Sequence, residues 1–264
     1  NHSAWCDGRC TAKEMAAAAY DLGFSDFGFS GHSSVAFDPP CSVRDMTGYI
    51  KDIRGLQQDY AGRMRIYCGV EQDYYGPVAD RALYDYLISG VHYLPQAADG
   101  GYFAVDGKPE MLAKGIARDF GGDAYAMCRA YFDLIAENVG RYQPDLVAHF
   151  DLVVKNNQDG CFFDERDRRY RHAALEALDY CREREQVLEL NSGGIYRGFR
   201  SDPYPAEFLL REWRGWGGCI TLSADAHETQ AIGFRFAEGC ALLRALGFRS
   251  LLVWQNGLYV EQGL

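Results

Sequence analysis

Short apolar strands alternate with amphipathic helices from Phe24 to Trp254, and most of the strands end on a histidine or a carboxylate. No other feature restricts the fold as much. Strands separated by helices cannot pair as tight hairpins; they form parallel βα units whose helices cover the sheet. The first helix opens with Thr11-Ala-Lys-Glu14, a capping box: the hydroxyl covers one orphan N–H and the glutamate reaches back to another. Met15, Ala18, Ala19 and Leu22 recur at helical spacing, and Gly23 supplies the stop. A Phe-rich strand over residues 24–30 runs to His32, and a helix near 43–60 leads to a strand over 64–70 that ends at Glu71. The strand over 86–91 ends at His92. A helix over 124–142 precedes the strand 146–148 and His149. A helix over 170–184 precedes the strand 187–190 and Asn191. Helix 207–213 and strand 220–223 deliver Asp225 and His227, and helix 236–246 with a last strand over 250–254 completes the series.

An open sheet and a barrel both satisfy that alternation. The polar strand ends favour the barrel, because a barrel carries the C-terminal residue of every strand to one common rim. The 264 residues show no linker, repeat or low-complexity tract, so the expectation is one α/β barrel domain over residues 1–264.

Five of the six histidines (His2, His32, His92, His149 and His227) lie at or just past a strand end, with His2 taken to follow a first strand that precedes the chain's start. His172 is the exception. It sits among Arg and Ala in a helical segment and reads as a surface residue. A single histidine usually means nothing, but five at equivalent places, joined by Glu71 and Asp225, point to a metal centre. Neutral imidazole and carboxylate suit zinc, iron and manganese. The ligands outnumber the needs of one tetrahedral ion, and a carboxylate such as Glu71 can bridge, so two or three divalent ions are expected. Adjacent ions acidify a water and clamp phosphoryl oxygens, which suits hydrolysis at phosphorus.

The formal net charge of −10 repels polyanions at long range and argues against a nucleic-acid partner, though not against a small phosphorylated substrate. Nine cysteines without a C-x-x-C pair indicate reduced thiols and a cytoplasmic setting. The apolar runs are too short to span a bilayer, so no membrane association is expected.

The same residues give the chain a specific resemblance. Asn1-His-Ser-Ala-Trp-Cys-Asp-Gly8, Gly31-His32-Ser33, Gly69-Val-Glu71, Ser89-Gly-Val-His92-Tyr-Leu94, Ala148-His-Phe-Asp-Leu152, Leu190-Asn-Ser-Gly-Gly194 and Ser223-Ala-Asp-Ala-His227 occur in the order of the polymerase-and-histidinol-phosphatase (PHP) superfamily. They resemble its histidinol-phosphatase branch over almost the whole chain. The resemblance implies a distorted (β/α)7 barrel with three metals at the C-terminal rim of the strands. It implies His2, Glu71 and Asp225 at the first, Glu71, His92 and His149 at the second, and Asp7, His32 and His227 at the third. Glu71, Asp225 and His227 would carry catalysis around a metal-bridging hydroxide. The family opens with His-x-His, matched here only from its middle position, Asn1; the expectation is that the first histidine and its strand lie upstream. Arg197, six residues after Asn191, matches the family's arginine past Asn-Ser-Gly, and its fork suits a phosphate. Lys155 and Arg200 are secondary candidates for the same anion, each read first as a solvated charge. Residues 93–122 form a long connection that reads equally as a lid or a surface insertion.

The activity so implied is hydrolysis of L-histidinol phosphate to L-histidinol and phosphate. The alternatives are a broader phosphoesterase acting on nucleotides or sugar phosphates, a metal-dependent amidohydrolase, and a non-catalytic interaction barrel. The last would leave costly buried carboxylates and imidazoles without purpose. The sequence is silent on oligomeric state.

Overall fold

A computed structural model of the chain describes residues 1–95 and 101–264. The strands are β1 (Asp26–His32), β2 (Arg65–Asp73), β3 (Leu87–Gly90), β4 (Tyr93–Pro95), β5 (Tyr102–Ala104), β6 (Leu146–Val147), β7 (Val187–Asn191), β8 (Cys219–Ser223), β9 (Ser250–Gln255) and β10 (Leu258–Gly263). The helices are α1 (Ala12–Asp21), α2 (Met46–Asp59), α3 (Pro109–Asp119), α4 (Ala124–Tyr142), α5 (Arg168–Glu183), α6 (Gly193–Tyr196), α7 (Glu207–Gly215) and α8 (Phe236–Ala245). The Thr11–Glu14 capping box forms as the sequence implies. Side chains of Asp45, Asp123 and Asp167 cap α2, α4 and α5.

Six strands make one parallel sheet in the order β1-β2-β3-β6-β7-β8. The sheet curls into a partial barrel with α helices outside it. Strand β2 is buried at every residue after Arg65, as a parallel strand covered on both faces must be. Outside the sheet, one apolar cluster joins Met15, Phe29, Tyr49 and Ile53, and a larger one joins Met127, Tyr131, Phe132, Leu178 and Trp213. The hydroxyl of Tyr49 donates to the Gly69 carbonyl (2.7 Å) and accepts from the Gly31 N–H (3.2 Å), so α2 ties β1 to β2 just before His32 and Glu71.

The two outer strands of the sheet, β1 and β8, face each other near the chain's first residues. The Ser30 N–H donates to the Asn1 carbonyl and the His2 N–H to the Ala226 carbonyl, both at 2.8 Å. That pair of bonds fixes His2 at the rim.

The last predicted strand departs from expectation. It does not extend the parallel sheet; β9 pairs antiparallel with β10. The turn between them carries Asn256 (φ 51°) and Gly257 (φ 81°), two successive left-handed residues whose twist suits a two-residue hairpin. The hairpin packs Leu252 and Tyr259 against Ile88, Leu146, Ala148 and Val187 on the sheet's inner face. Sheet and hairpin together line a cavity of about 950 Å³. Tyr86 projects into this interior. Its hydroxyl donates to the Phe29 carbonyl (2.8 Å), and its ring lies so close to Gly28 and Gly69 that a methyl group on either would overlap it.

Residues 93–122, read as one connection, contain the β4–β5 hairpin and α3. Residues 96–100 fall outside the described residues, and with them the test of the lid expectation. Among the described residues no helix is long and apolar enough to cross a membrane.

Candidate metal centre

The parallel register aligns the strand ends. His32, the last residue of β1, stands opposite Glu71 of β2. His92 and His149 each follow their strand by two residues, as does Asp225 after β8. Asp225 (φ 47°) and His149 (φ 21°) both have positive φ, a strained backbone of the kind found at functional sites.

Glu71 lies at the middle of this ring and is buried. Its Oε1 is 3.0 Å from His149 Nε2 and 3.3 Å from His92 Nε2. Its Oε2 is 3.2 Å from His2 Nε2 and 3.8 Å from His32 Nδ1. Asp225 Oδ1 is 3.1 Å from the same His2 nitrogen. Asp7 reaches His227 Nε2 at 3.3 Å and His32 Nε2 at 3.7 Å. The ligand atoms gather in three overlapping groups: His2, Asp7, His32 and His227; His32, Glu71 and His92; His2, Glu71 and Asp225. His149 is in none of them, but it touches Glu71, and its Nδ1 is buried without a hydrogen-bond partner. Five imidazoles and three carboxylates converging at these distances are a donor set that divalent cations fit.

Electrostatics within the ring are strongly coupled. Burial disfavours charge on His2, but its hydrogen bonds to Asp225, Cys6 and Glu71 outweigh that and raise the imidazole well above its ordinary range. His92 is likewise raised against its burial, to about 9, by Asp73 and Glu71. His32 goes the other way, down to about 4, through burial and the nearby charge of His2. Burial opposes ionisation of the carboxylates too. Glu71 is nevertheless held well below its usual range by His32, His149 and His2, and Asp225 by Arg197 and His2. The carboxylates stay anionic, as ligands must.

Several residues that sequence reasoning did not single out hold the ligands in place. Asp73 Oδ2 accepts the His92 N–H at 2.9 Å and lies 3.4 Å from its Nδ1. Glu189 Oε1 accepts the His149 N–H and the Asn191 side-chain amide, both at 2.7 Å, and Asn191 in turn accepts the Gly193 N–H. Cys6 Sγ lies 3.5 Å from His2 Nδ1. Such partners orient imidazoles and are as much a part of a metal site as the ligands. Only Asp73, two residues after Glu71 on one strand face, carried a signal in the sequence.

Arg197, on the turn after α6, donates to the Asp225 carbonyl (3.1 Å) and to Asp225 Oδ2 (2.8 Å), with His227 Nδ1 3.0 Å away. It therefore stands beside the ring. Lys155 and Arg200 are not the solvated charges expected. Lys155 is paired with Asp106, and Arg200 with Glu165, and both side chains are mostly buried. His172 is exposed, paired with Glu176 on α5 and apart from the ring.

A family model of the PHP domain matches residues 1–193. A Deinococcus radiodurans protein described as a probable histidinol-phosphatase is 30% identical over 253 residues, covering 91% of this chain and 89% of the relative. A solved structure from Listeria monocytogenes superposes with a TM-score of 0.78 at 18% identity, over 90% of this chain and 97% of that one. The histidinol phosphate phosphatase of Lactococcus lactis, solved with zinc, L-histidinol and phosphate, superposes with a TM-score of 0.67 at 19% identity, over 98% and 96% of the two chains.

Proposed function

From the premise that the chain belongs to the PHP domain family, we propose that it is a metal-dependent phosphomonoester hydrolase whose substrate is L-histidinol phosphate. The observation that supports this best is the placement of Glu71, with one carboxylate oxygen turned to His92 and His149 and the other to His2 and His32. One anion serving two ligand groups is what adjacent cations require.

The proposed ligands are His2, Asp7, His32, Glu71, His92, His149, Asp225 and His227, holding two or three divalent ions, with zinc the ion of the Lactococcus lactis structure. Bound there, such ions supply an acidified water and a clamp on the phosphoryl oxygens. The chain's own residues do the rest. Glu71 and Asp225, kept ionised, set the charge of the site, and Asp225, which serves a single ligand group, is the carboxylate that can accept a proton from the attacking water. His227 would act as a ligand of the Asp7 group, its ring oriented by the Asp225 carbonyl 2.8 Å from Nδ1. Arg197 offers a forked donor for the ester's non-bridging oxygens. All three cations are paired, Lys155 with Asp106, Arg200 with Glu165 and Arg197 with Asp225, and Arg197 is the better phosphate contact because its partner belongs to the ligand ring. Residues 1–264 are proposed to act as one domain. Nine free cysteines fit a reducing, cytoplasm-like compartment.

The test is phosphate release from histidinol phosphate, nucleotides and sugar phosphates, using protein of measured metal content. The proposal expects histidinol phosphate to be hydrolysed fastest. Equal or faster hydrolysis of the others makes the chain a broader phosphoesterase, and hydrolysis of none of them overturns the reading.

A further inference from the structure

The turn that carries Arg197 leaves β7 and comes back to it. Asn191 and Tyr204 exchange N–H···O bonds of 2.7 and 3.0 Å, which close the base of a loop over residues 192–203. At its tip the N–H groups of Phe199 and Arg200 both donate to the Gly194 carbonyl, and Gly198 (φ 73°) makes the left-handed bend after α6. Arg200 joins this tip to the segment that follows His149. Its guanidinium grips Glu165 with both arms, Nη1 to Oε1 at 2.9 Å and Nη2 to Oε2 at 3.1 Å, and Nη1 also donates to the Val154 carbonyl at 3.2 Å. Glu165 is held in turn by the buried Asn157, whose Nδ2 donates to Oε1 at 3.0 Å and whose Oδ1 accepts the N–H groups of Phe162 and Phe163, each at 3.0 Å. Farther along the loop, the Ala206 N–H donates to Asp151 Oδ2 at 2.9 Å. The Arg200 side chain is only 10% exposed, and neither it nor Glu165 belongs to a ligand group.

Stability alone is a poor reason for such a pair. Two charges withdrawn from water cost about as much as their attraction returns, and an apolar pair of similar size packs as well or better. What an apolar pair lacks is direction, because only a fork on a carboxylate holds one geometry. Direction matters at Arg197. Among the described residues its guanidinium bonds to Asp225 and lies against His227, which fixes the tip of a long side chain. Its backbone sits on the same turn as Arg200, across the bend at Gly198. We propose that Arg200 is a positioning residue: through its fork on Glu165 it holds the backbone of residues 193–200 where the Arg197 guanidinium can meet both Asp225 and the phosphate of the ester. This rests on the phosphatase reading above and on Arg197 as the phosphate donor. A shift of about 1 Å in a group that orients substrate can cost on the order of 100-fold, even when the altered residue is remote from the chemistry.

The experiment is a double-mutant cycle on the metal-loaded enzyme with histidinol phosphate as substrate. Changing the pair together, Arg200→Met with Glu165→Leu, removes the fork without stranding either charge. The paired variant is expected to keep the wild type's metal content and urea midpoint while kcat/KM falls about 10-fold, and by no more than Arg197→Ala costs. In the Arg197→Ala background the same two changes should alter kcat/KM by less than about 2-fold, because nothing is left to position. Arg200→Lys, a point charge without a fork, should fall between the wild type and the paired variant. An equal loss in both backgrounds overturns the proposal, since Arg200 then acts without Arg197. So does a paired variant with the wild type's kcat/KM, and so does loss of metal, which makes the clasp a support of the ligand ring. If the paired variant does not fold, the cycle run with Arg200→Lys decides by the same criteria. A wild type that releases no phosphate overturns the phosphatase reading itself, and an Arg197→Ala protein with unchanged kcat/KM overturns the role of Arg197; each is distinct from a failed cycle.

Discussion

Replacing Glu71 by Gln changes one oxygen for an NH2 group and removes one charge. The carboxylate oxygens are 3.0 to 3.8 Å from four imidazole nitrogens. At about 4 Å and an effective dielectric of 20, each unit charge is worth about 4 kcal/mol. Losing it from a cation's ligand set therefore lowers binding on the order of 1,000-fold or more. The amide also turns a donor toward one pair of histidines, where a cation needs an acceptor. Two of the three ligand groups contain Glu71, and the group of His2, Asp7, His32 and His227 does not. Glu71→Gln should therefore lose the metal of both Glu71 groups and keep that of the Asp7 group, whereas Asp7→Asn should do the reverse. The assay is metal analysis by mass spectrometry after exhaustive dialysis, paired with phosphate release from histidinol phosphate, whose kcat/KM should fall by more than about 100-fold. A Glu71→Gln protein with the wild type's metal stoichiometry would refute the bridging argument, and one that keeps full turnover would refute the assignment of the site.

Arg197→Ala should lower kcat/KM on phosphomonoesters by roughly 10–100-fold, with Arg197→Lys recovering part; if the loss appears only as depleted metal, the side chain serves Asp225 and not the phosphate. Glu189→Leu strands the His149 N–H and the Asn191 amide and should cost about 1–3 kcal/mol in urea unfolding. Glu189→Gln keeps the acceptor oxygen, and because burial raises the Glu189 carboxyl and so works against its charge, its midpoint should match or exceed the wild type's; a midpoint as low as the Leu variant's would refute this. In the metal-free protein His2 lies well above its ordinary range and His92 at about 9, so both hold protons at pH 7.5. Zinc binding must displace them, and affinity should rise with pH until about 9. Calorimetry in two buffers of different ionisation enthalpy measures the release, and buffer-independent heats would contradict it.

The strand ends were the most legible part of this chain. His32, Glu71, His92, His149 and Asp225 could be placed on one rim because parallel register leaves residues at or within two positions of a strand's end little choice of position. The helices that begin at Ala12 and Ala124 were visible through periodicity, the first through its capping box as well. The final strand was misplaced, although Asn256-Gly257 is a strong local hairpin signal; the βα alternation before it outweighed two turn residues. Glu189 and Asp106 could not be told from the chain's other carboxylates, because what distinguishes each is a neighbour far away in sequence, and Asp73 offered only its place two residues past Glu71 on the same strand face. Lys155 and Arg200 were misjudged for the same reason. Their burial follows from Asp106 and Glu165, partners that no spacing rule connects to them.

The ring of Tyr86, wedged over Gly28 and Gly69, has a consequence for how this interior can change. Two strands and the residue just before β3 contribute to one packed volume, and the two glycines contribute only the room they leave. A larger residue at position 28 or 69 is blocked as long as the tyrosine is present, and a smaller residue at position 86 opens a void beneath two bare backbones. Each single step leads to a worse-packed protein, so the three positions form a conditional unit in which the acceptable residue at one is set by the other two. Divergence at this level of the barrel must pass through paired replacements, and a graft of β2 or β3 from a relative would succeed only if the matching residue at position 28 travelled with it.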